Sequence, residues 1–394
     1  SFGLVHRAKN GNILLGPDNL PISTYDNEVI REMARVFTGL GFSYITDNGV
    51  KTVNGWFYRG DQAYIEQHRW TNPMKFFSAK HDYGAKTLFS DNGAPIVIPA
   101  TSNATAATAD AELETVIDAL VSHQTTAPFI SRQLIQRLVT SNPSAGYIER
   151  VATAFGNKGD LTAVLKAILL DSEARNPNVV NSSSFGKLKE PVLQLAATLR
   201  LLQAASQVTF EDSASPLYSL RDAYEQGVSL MRIEALNIGQ RPLGSPSVFN
   251  FYLPDFSPSG ALASQSLVAP EFQLVTESQI FTTMNKYNGL VNSNLVPPRP
   301  FNYSDFTAEQ LQVKLKPDRL LNLWQGTAGS NAVKAEAVVD YLDFYLNAGQ
   351  LKATNNNGTR DALIQAIINS GDDVARFKNA VYGVNTSPEF LIQQ

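Results

Sequence analysis

Hydrophobic positions between Asp110 and Leu170 recur with helical spacing in four consecutive runs. Leu113, Val116, Ile117, Leu120 and Val121 fall at i, i+3, i+4, i+7 and i+8, which predicts a helix with one apolar face. Thr126 and Pro128 then suit the first turn of a second helix, whose stripe is Phe129, Ile130, Leu134 and Leu138, with Arg132, Gln133, Gln136 and Arg137 turned elsewhere. Ile148, Val151, Ala152 and Phe155 predict a third helix, closed by Gly156. Asp160 suits the N-cap of a fourth, which carries Leu161, Val164, Leu165, Ile168 and Leu169. Helices this short are marginal alone in water, so the central helices of 110–171 are expected to pack on each other and to organise the chain.

The same periodicity predicts further helices on either side. Thr24 is expected to cap one with Asp26 and Glu28 in its first turn and Val29, Ile30, Met33 and Phe37 buried, stopped by Gly39. Pro191 opens another, with Val192, Leu195, Ala196, Leu199 and Leu202 inward. Stretches 220–238, 272–284, 332–346 and 374–384 follow the pattern. Between 41 and 99 the texture changes to Gly, aromatic residues and short β-favouring runs at 53–58, 86–89 and 96–98, which predicts irregular chain with a small hairpin or two. The small polar residues 100–109 read as a loop. The expected fold is mostly α, one large multi-helix globular domain over 1–394 with a small β-containing irregular insertion at 41–99.

Composition narrows the function classes. Of 394 residues, 43% are hydrophobic and 17% charged, an ordinary globular balance. A net charge of −4 without a cluster of Lys and Arg argues against nucleic-acid binding. With no Cys there are no disulfides, zinc-thiolate sites or thiol nucleophiles. No run approaches the ~18 apolar residues of a membrane span. The chain starts at Ser1 without Met, and Phe2 to Val5 read as the tail of a buried element, so further sequence is expected upstream.

The densest chemistry lies in His81-Asp82-Tyr83-Gly84-Ala85-Lys86, where an imidazole, a carboxylate and an ammonium share six residues beside a turn-forming Gly. These are candidate catalytic residues, and His68, with Asp91, lies near enough in sequence to complete a metal site with His81 and Asp82. The same groups equally suit a structural role, pinning an irregular segment through backbone hydrogen bonds. Pro242, Pro246, Pro254 and Pro258 frame an aromatic loop with Phe249, Phe251, Tyr252 and Phe256, suited to anchoring a partner or to folding back on the core. Ser184 and Lys187 match a Ser-x-x-Lys spelling, but Lys187 precedes the helix opened by Pro191, which removes the helical geometry that chemistry needs. The nucleophile-elbow, His-Glu-x-x-His and phosphate-loop motifs are absent from the sequence.

Several stretches together resemble a bacterial family known as domain of unknown function family 1800. They are Tyr25-Asp26-Asn27-Glu28-Val29 with Ala34-Arg35-Val36-Phe37-Thr38-Gly39, then Lys80 to Lys86, Phe129-Ile130-Ser131-Arg132-Gln133-Leu134 and Gly159-Asp160-Leu161. Lys187-Leu188-Lys189-Glu190-Pro191, Gly239-Gln240, Pro246-Ser247-Val248 and Ser387-Pro388-Glu389-Phe390-Leu391 complete the order. The resemblance implies an exported, largely helical protein, found in the periplasm, at the cell surface or outside the cell. It also implies a neighbouring exported protein related in fold to sulfatases, and a further helical portion upstream. It brings no established reaction, and any cofactor is left unknown. The interval from Gly41 to Lys80 departs from the family pattern. Two functions are therefore expected as alternatives: an interaction or structural subunit, as a homo-oligomer or with an exported sulfatase-like partner, or a hydrolase or metal-dependent enzyme centred on His81 and Asp82.

Overall fold

The computed structural model describes residues 2–41, 73–91, 94–180, 182–204, 238–241, 244–247, 250–293, 315–353 and 358–393. Helices dominate them, and the chain divides into two compact units, Ser1–Ser182 and Ser183–Gln394. No helix among the described residues is long and apolar enough to cross a membrane.

In the first unit the opening residues fold on themselves through bridges pairing Val5 with Ser23, Arg7 with Ile13 and Leu15 with Pro21. Thr24, expected as a helix cap, instead donates its hydroxyl to Gly3 O at 2.5 Å and fastens this ladder. Asp26 is the cap of α1 (Asn27–Val36), accepting from the N–H groups of Glu28 and Val29. The face α1 buries is rotated from the predicted one. Val36 is buried and Val29 and Met33 pack beside it, whereas Ile30 and Phe37 are exposed. The rotation brings Glu32 and Arg35 toward the chain after residue 80, where both find partners.

Leu40–Gly41 (β1) pairs with Lys75–Phe76 (β2) in a two-residue antiparallel ladder. The predicted hairpin is present as Lys86–Asp91 (β3) against Ala94–Ile98 (β4), with Lys86 opposite Ile98. The run at 53–58 lies outside the described residues.

The four predicted central helices follow: Ala106–Ser122 (α2), Thr126–Leu138 (α3), Ala145–Phe155 (α4) and Leu161–Leu170 (α5). α2 begins inside the stretch expected to be a loop, because Thr105 accepts from Thr108 N–H and an Ala-rich first turn follows. Ile135, Tyr147, Ile148, Val151, Phe155, Val164 and Ile168 form one buried cluster, so α3, α4 and α5 pack on each other as expected. The α4 stripe is buried, but of the α5 stripe only Val164 and Ile168 are, while Leu161, Leu165 and Leu169 are exposed. Two phases differ. On α3 the inward residues are Ser131, Ile135 and Gln136 while Leu138 is exposed, because small Ser131 allows close approach and the Gln136 amide donates to Ser141 O (3.0 Å). On α2 they are Ala109, Glu112 and Val116, which puts a carboxylate into the interior.

In the second unit Pro191 opens α6 (Pro191–Leu201) as predicted. A tight turn at Pro270–Leu274 precedes α7 (Glu277–Ser293), which therefore starts later than the periodicity suggests. Then come α8 (Asp318–Gly326), α9 (Asn331–Leu346), α10 (Thr359–Ile368) and α11 (Asp373–Asn385). The predicted face of α9, Val338, Val339, Leu342 and Leu346, is buried throughout. Lys187–Leu188 (β5) pairs with Ile392–Gln393 (β6). Residues 220–237 lie outside the described residues.

Candidate functional site

Three elements of the first unit converge on the segment from His81 to Lys86. α1 supplies Glu32 and Arg35, β3 begins at Lys86, and α2 supplies Glu112. Glu112 follows Ala109 by three residues and precedes Val116 by four, so all three share the buried face of α2.

His81 is enclosed, with its ring edge-on to Phe76 at 5.2 Å and to Tyr83 at 4.6 Å. Its Nδ1 lies 2.7 Å from Thr38 O, a carbonyl that can only accept, so Nδ1 carries a proton. Its Nε2 lies 3.1 Å from Glu112 Oε2. A hydrogen bond there needs a second proton, either on the imidazole or on the carboxyl. Lys86 Nζ donates to the same Glu112 Oε2 at 2.7 Å, and to Asp82 O (2.5 Å) and Gly84 O (3.2 Å). The Lys86 and Glu112 side chains are 0% and 6% exposed. The second carboxylate oxygen of Glu112 has no partner among the described residues.

Asp82 points the other way. Arg35 donates to it through Nε at 2.8 Å and Nη2 at 3.1 Å, and Gly84 N–H adds a bond of 2.8 Å. The Arg35 guanidinium, followed by the Gly84 N–H, holds the Asp82 carboxyl well below the usual carboxylate range. Arg35 reaches on to Glu32 (2.8 Å) and to Ala85 O (2.9 Å), while Glu32 accepts from Thr87 N–H (3.1 Å). A Cβ at Gly84 would come within 2.6 Å of Arg35 Nη2, so a side chain there would displace the guanidinium.

The candidates His81, Asp82 and Lys86 are thus neighbours in one network but face different partners. His81 and Lys86 share Glu112, and Asp82 is held by Arg35. His68 lies outside the described residues. Among the described residues no group of three or more His, Asp or Glu is placed to hold a metal ion. Glu112 and Arg35 are the members the sequence reading missed. The signal for Glu112 was its position in register with Ala109 and Val116.

The second unit holds a parallel arrangement. Lys187 of the Ser-x-x-Lys spelling lies in β5, its side chain 0% exposed, and pairs at 2.9 Å with Glu271, itself 1% exposed. The Tyr252 hydroxyl lies 3.5 Å from the same carboxylate oxygen. Tyr252 of the aromatic loop is therefore buried inside the unit, Phe251 and Phe256 are half-buried, and Phe249 lies outside the described residues. Gln240 accepts from Val192 N–H (3.2 Å) and donates to Glu190 (2.6 Å), fastening the first turn of α6.

The sequence profile of a family described as Protein of unknown function (DUF1800) matches residues 14–392. No curated protein and no solved structure matches the chain.

Proposed function

The chain belongs to the DUF1800 family, and we propose that it is an exported interaction or structural subunit that works with a second exported, sulfatase-like protein. The observation that carries this reading is a ridge on α5. Val164 and Ile168 of that helix fill the core, yet Leu161, Leu165 and Leu169, spaced four residues apart along the flank of that face, are 55%, 43% and 54% exposed. Leu170, 64% exposed, ends the same helix. Covering a run of leucines gains about 25 cal/mol per Å² of apolar surface, and contiguous exposed patches mark interaction sites.

The commitments of the His81 segment support the same reading. A general acid or base must reach a substrate proton, and a metal site needs ligands that converge. Here Asp82 is neutralised by Arg35 and Lys86 by Glu112, and both bonds serve to fix the hairpin to α1 and α2. The sulfatase-like partner and export rest on the family resemblance.

The test is native mass spectrometry of the protein from its own source, with cell fractionation alongside. The expected result is an exported, stoichiometric complex with a sulfatase-like chain, weakened by joint Leu165→Glu and Leu169→Glu substitution with helical content unchanged. A cytoplasmic protein refutes export, and an assembly of this chain alone refutes the partner. A monomer carrying a metal lost on His81→Ala would replace this reading with the hydrolase or metal-dependent enzyme centred on His81 and Asp82.

A further inference from the structure

Where α2 ends, the turn into α3 buries His123 with both ring nitrogens committed to the main chain. Its Nδ1 lies 3.2 Å from Thr125 N, an N–H that can only donate, so Nδ1 carries no proton. Its Nε2 lies 3.3 Å from Ser90 O, a carbonyl that can only accept, so the single ring proton sits there. The folded chain therefore holds this imidazole neutral. Phe2 stacks on the ring at 4.6 Å, Phe89 meets it edge-on at 5.7 Å, and the His6 ring lies at 5.4 Å. The ladder of residues 2–24 reaches the same turn a second time, where Arg7 N–H donates to the buried Thr125 Oγ1 at 3.3 Å.

A second proton on this ring has to go to Nδ1, where it meets the Thr125 N–H. Two donors cannot share that contact, and the ring cannot turn Nδ1 away while Phe2 and Phe89 pack on it. Charging the ring thus requires parting it from Phe2. The carbonyls that end α2 are already engaged, Ala119 O by His123 N–H (3.1 Å) and Leu120 O by the Thr126 hydroxyl (2.6 Å). Among the described residues the titratable group that meets the ring is His6, which adds a like charge once both rings take protons. The Arg7 guanidinium turns to Gly11 O (2.8 Å), and Lys86 of β3 to Glu112 (2.7 Å).

We propose that His123 is an acid-sensitive latch, which when neutral holds the ladder of residues 2–24 on the α2–α3 turn and when protonated releases it. A released ring titrates in the ordinary histidine range, at about pH 6.5. The closed form binds one proton fewer, so opening is favoured as pH falls below that value, by about tenfold per pH unit. Release uncovers apolar side chains of α3 and α4. Gly3 and Gly11 of the ladder lie so close on Phe129 and Ile148 that a Cβ at either would come within 2.8 and 2.9 Å of them. The latch is separate from the leucines of α5, so either reading can fail without the other.

The test is hydrogen exchange of the full chain, read by mass spectrometry at pH 7, 6 and 5 and corrected for the pH dependence of exchange in an open chain. The expected result is that protection of residues 2–24 falls about tenfold per pH unit below about pH 6.5 while α3, α4 and α5 stay protected. The fall should vanish in His123→Asn, whose Oδ1 accepts from the Thr125 N–H and does not titrate. The criterion is the slope with pH, so a variant whose ladder is looser at pH 7 still decides. If His123→Asn does not fold, nitrogen NMR shifts of the wild-type ring decide instead, with Nδ1 unprotonated wherever the ladder is closed. Protection of 2–24 that is independent of pH overturns the proposal, as does a doubly protonated His123 with the ladder still closed. Loss of protection in α3 to α5 together with the ladder would be global acid unfolding and not a latch. A slope that survives in His123→Asn would belong to another group and overturn the assignment to His123.

Discussion

Replacing Glu112 by Leu tests what the buried network does for the fold. The substitution removes the only carboxylate among the described residues that is bonded to Lys86, whose side chain is 0% exposed, and leaves the ammonium with the carbonyls of Asp82 and Gly84. Removing one partner of a buried ion pair costs about 3–5 kcal/mol. That is a large part of the ~5–15 kcal/mol by which domains are stable. At ~2–4 °C per kcal/mol for a unit of this size, the midpoint of thermal unfolding should fall by about 6–20 °C. Adding Lys86→Met removes the stranded charge and should restore at least ~2 kcal/mol. Recovery stays incomplete because His81 Nε2, now facing Leu, still lacks its partner. Urea unfolding followed by far-UV circular dichroism at neutral pH gives the wild type, both single variants and the double variant on one scale. A cost below about 1 kcal/mol for Glu112→Leu, or a double variant that loses the sum of the single losses, would refute the reasoning, since neither is compatible with a desolvated, coupled pair.

Two further predictions follow from the same segment. The folded pKa of Asp82 is depressed, so its contribution is present above the unfolded value and is lost as pH falls below about 4. Asp82→Asn should therefore flatten the acid limb of stability below about pH 4, and parallel limbs in urea titrations would contradict this. Gly39 has φ +80°, and a Cβ there would lie 2.9 Å from His81 N and 3.0 Å from Phe77 O, both backbone atoms. Gly39→Ala should cost about 2–4 kcal/mol from backbone strain and overpacking together, and calorimetry showing an unchanged melting midpoint would be inconsistent with that contact.

The parts of this fold that depend on neighbours in sequence were legible. Asp160 caps α5 and Pro191 opens α6 because each acts on N–H groups or a φ angle within its own first turn. The β3–β4 pairing was readable from two adjacent β-favouring runs, and the inward face of α9 from its spacing. The candidate site was legible only by half. His81, Asp82 and Lys86 announce themselves by clustering, but Glu112 lies 26 residues beyond Lys86 and Arg35 lies 47 before Asp82, so nothing local couples them. Glu112 also sits in an Ala-Glu-Leu-Glu run that looks solvated, and only the tertiary approach of the hairpin selects it for burial. The same limit explains α3, where counting hydrophobic residues favoured Leu138 and packing chose Ser131. Several stretches that carry the family resemblance hold caps and buried pairs, among them Asp26, Asp160, Lys187 and Ser387.

The short ladder of β1 and β2 bears on how such a protein can change over evolutionary time. Gly41 and Lys75 are rung partners. What is inserted between them begins and ends at the same anchor, and lengthening it adds only a slowly growing closure entropy, about 0.6 kcal/mol per doubling. The ladder thus fixes both ends of the interval near the Arg35, Asp82, Lys86 and Glu112 network whatever its length. A change in the length of that interval is therefore expected to alter the fold's stability only slightly, because the two rung positions that close it stay where they are.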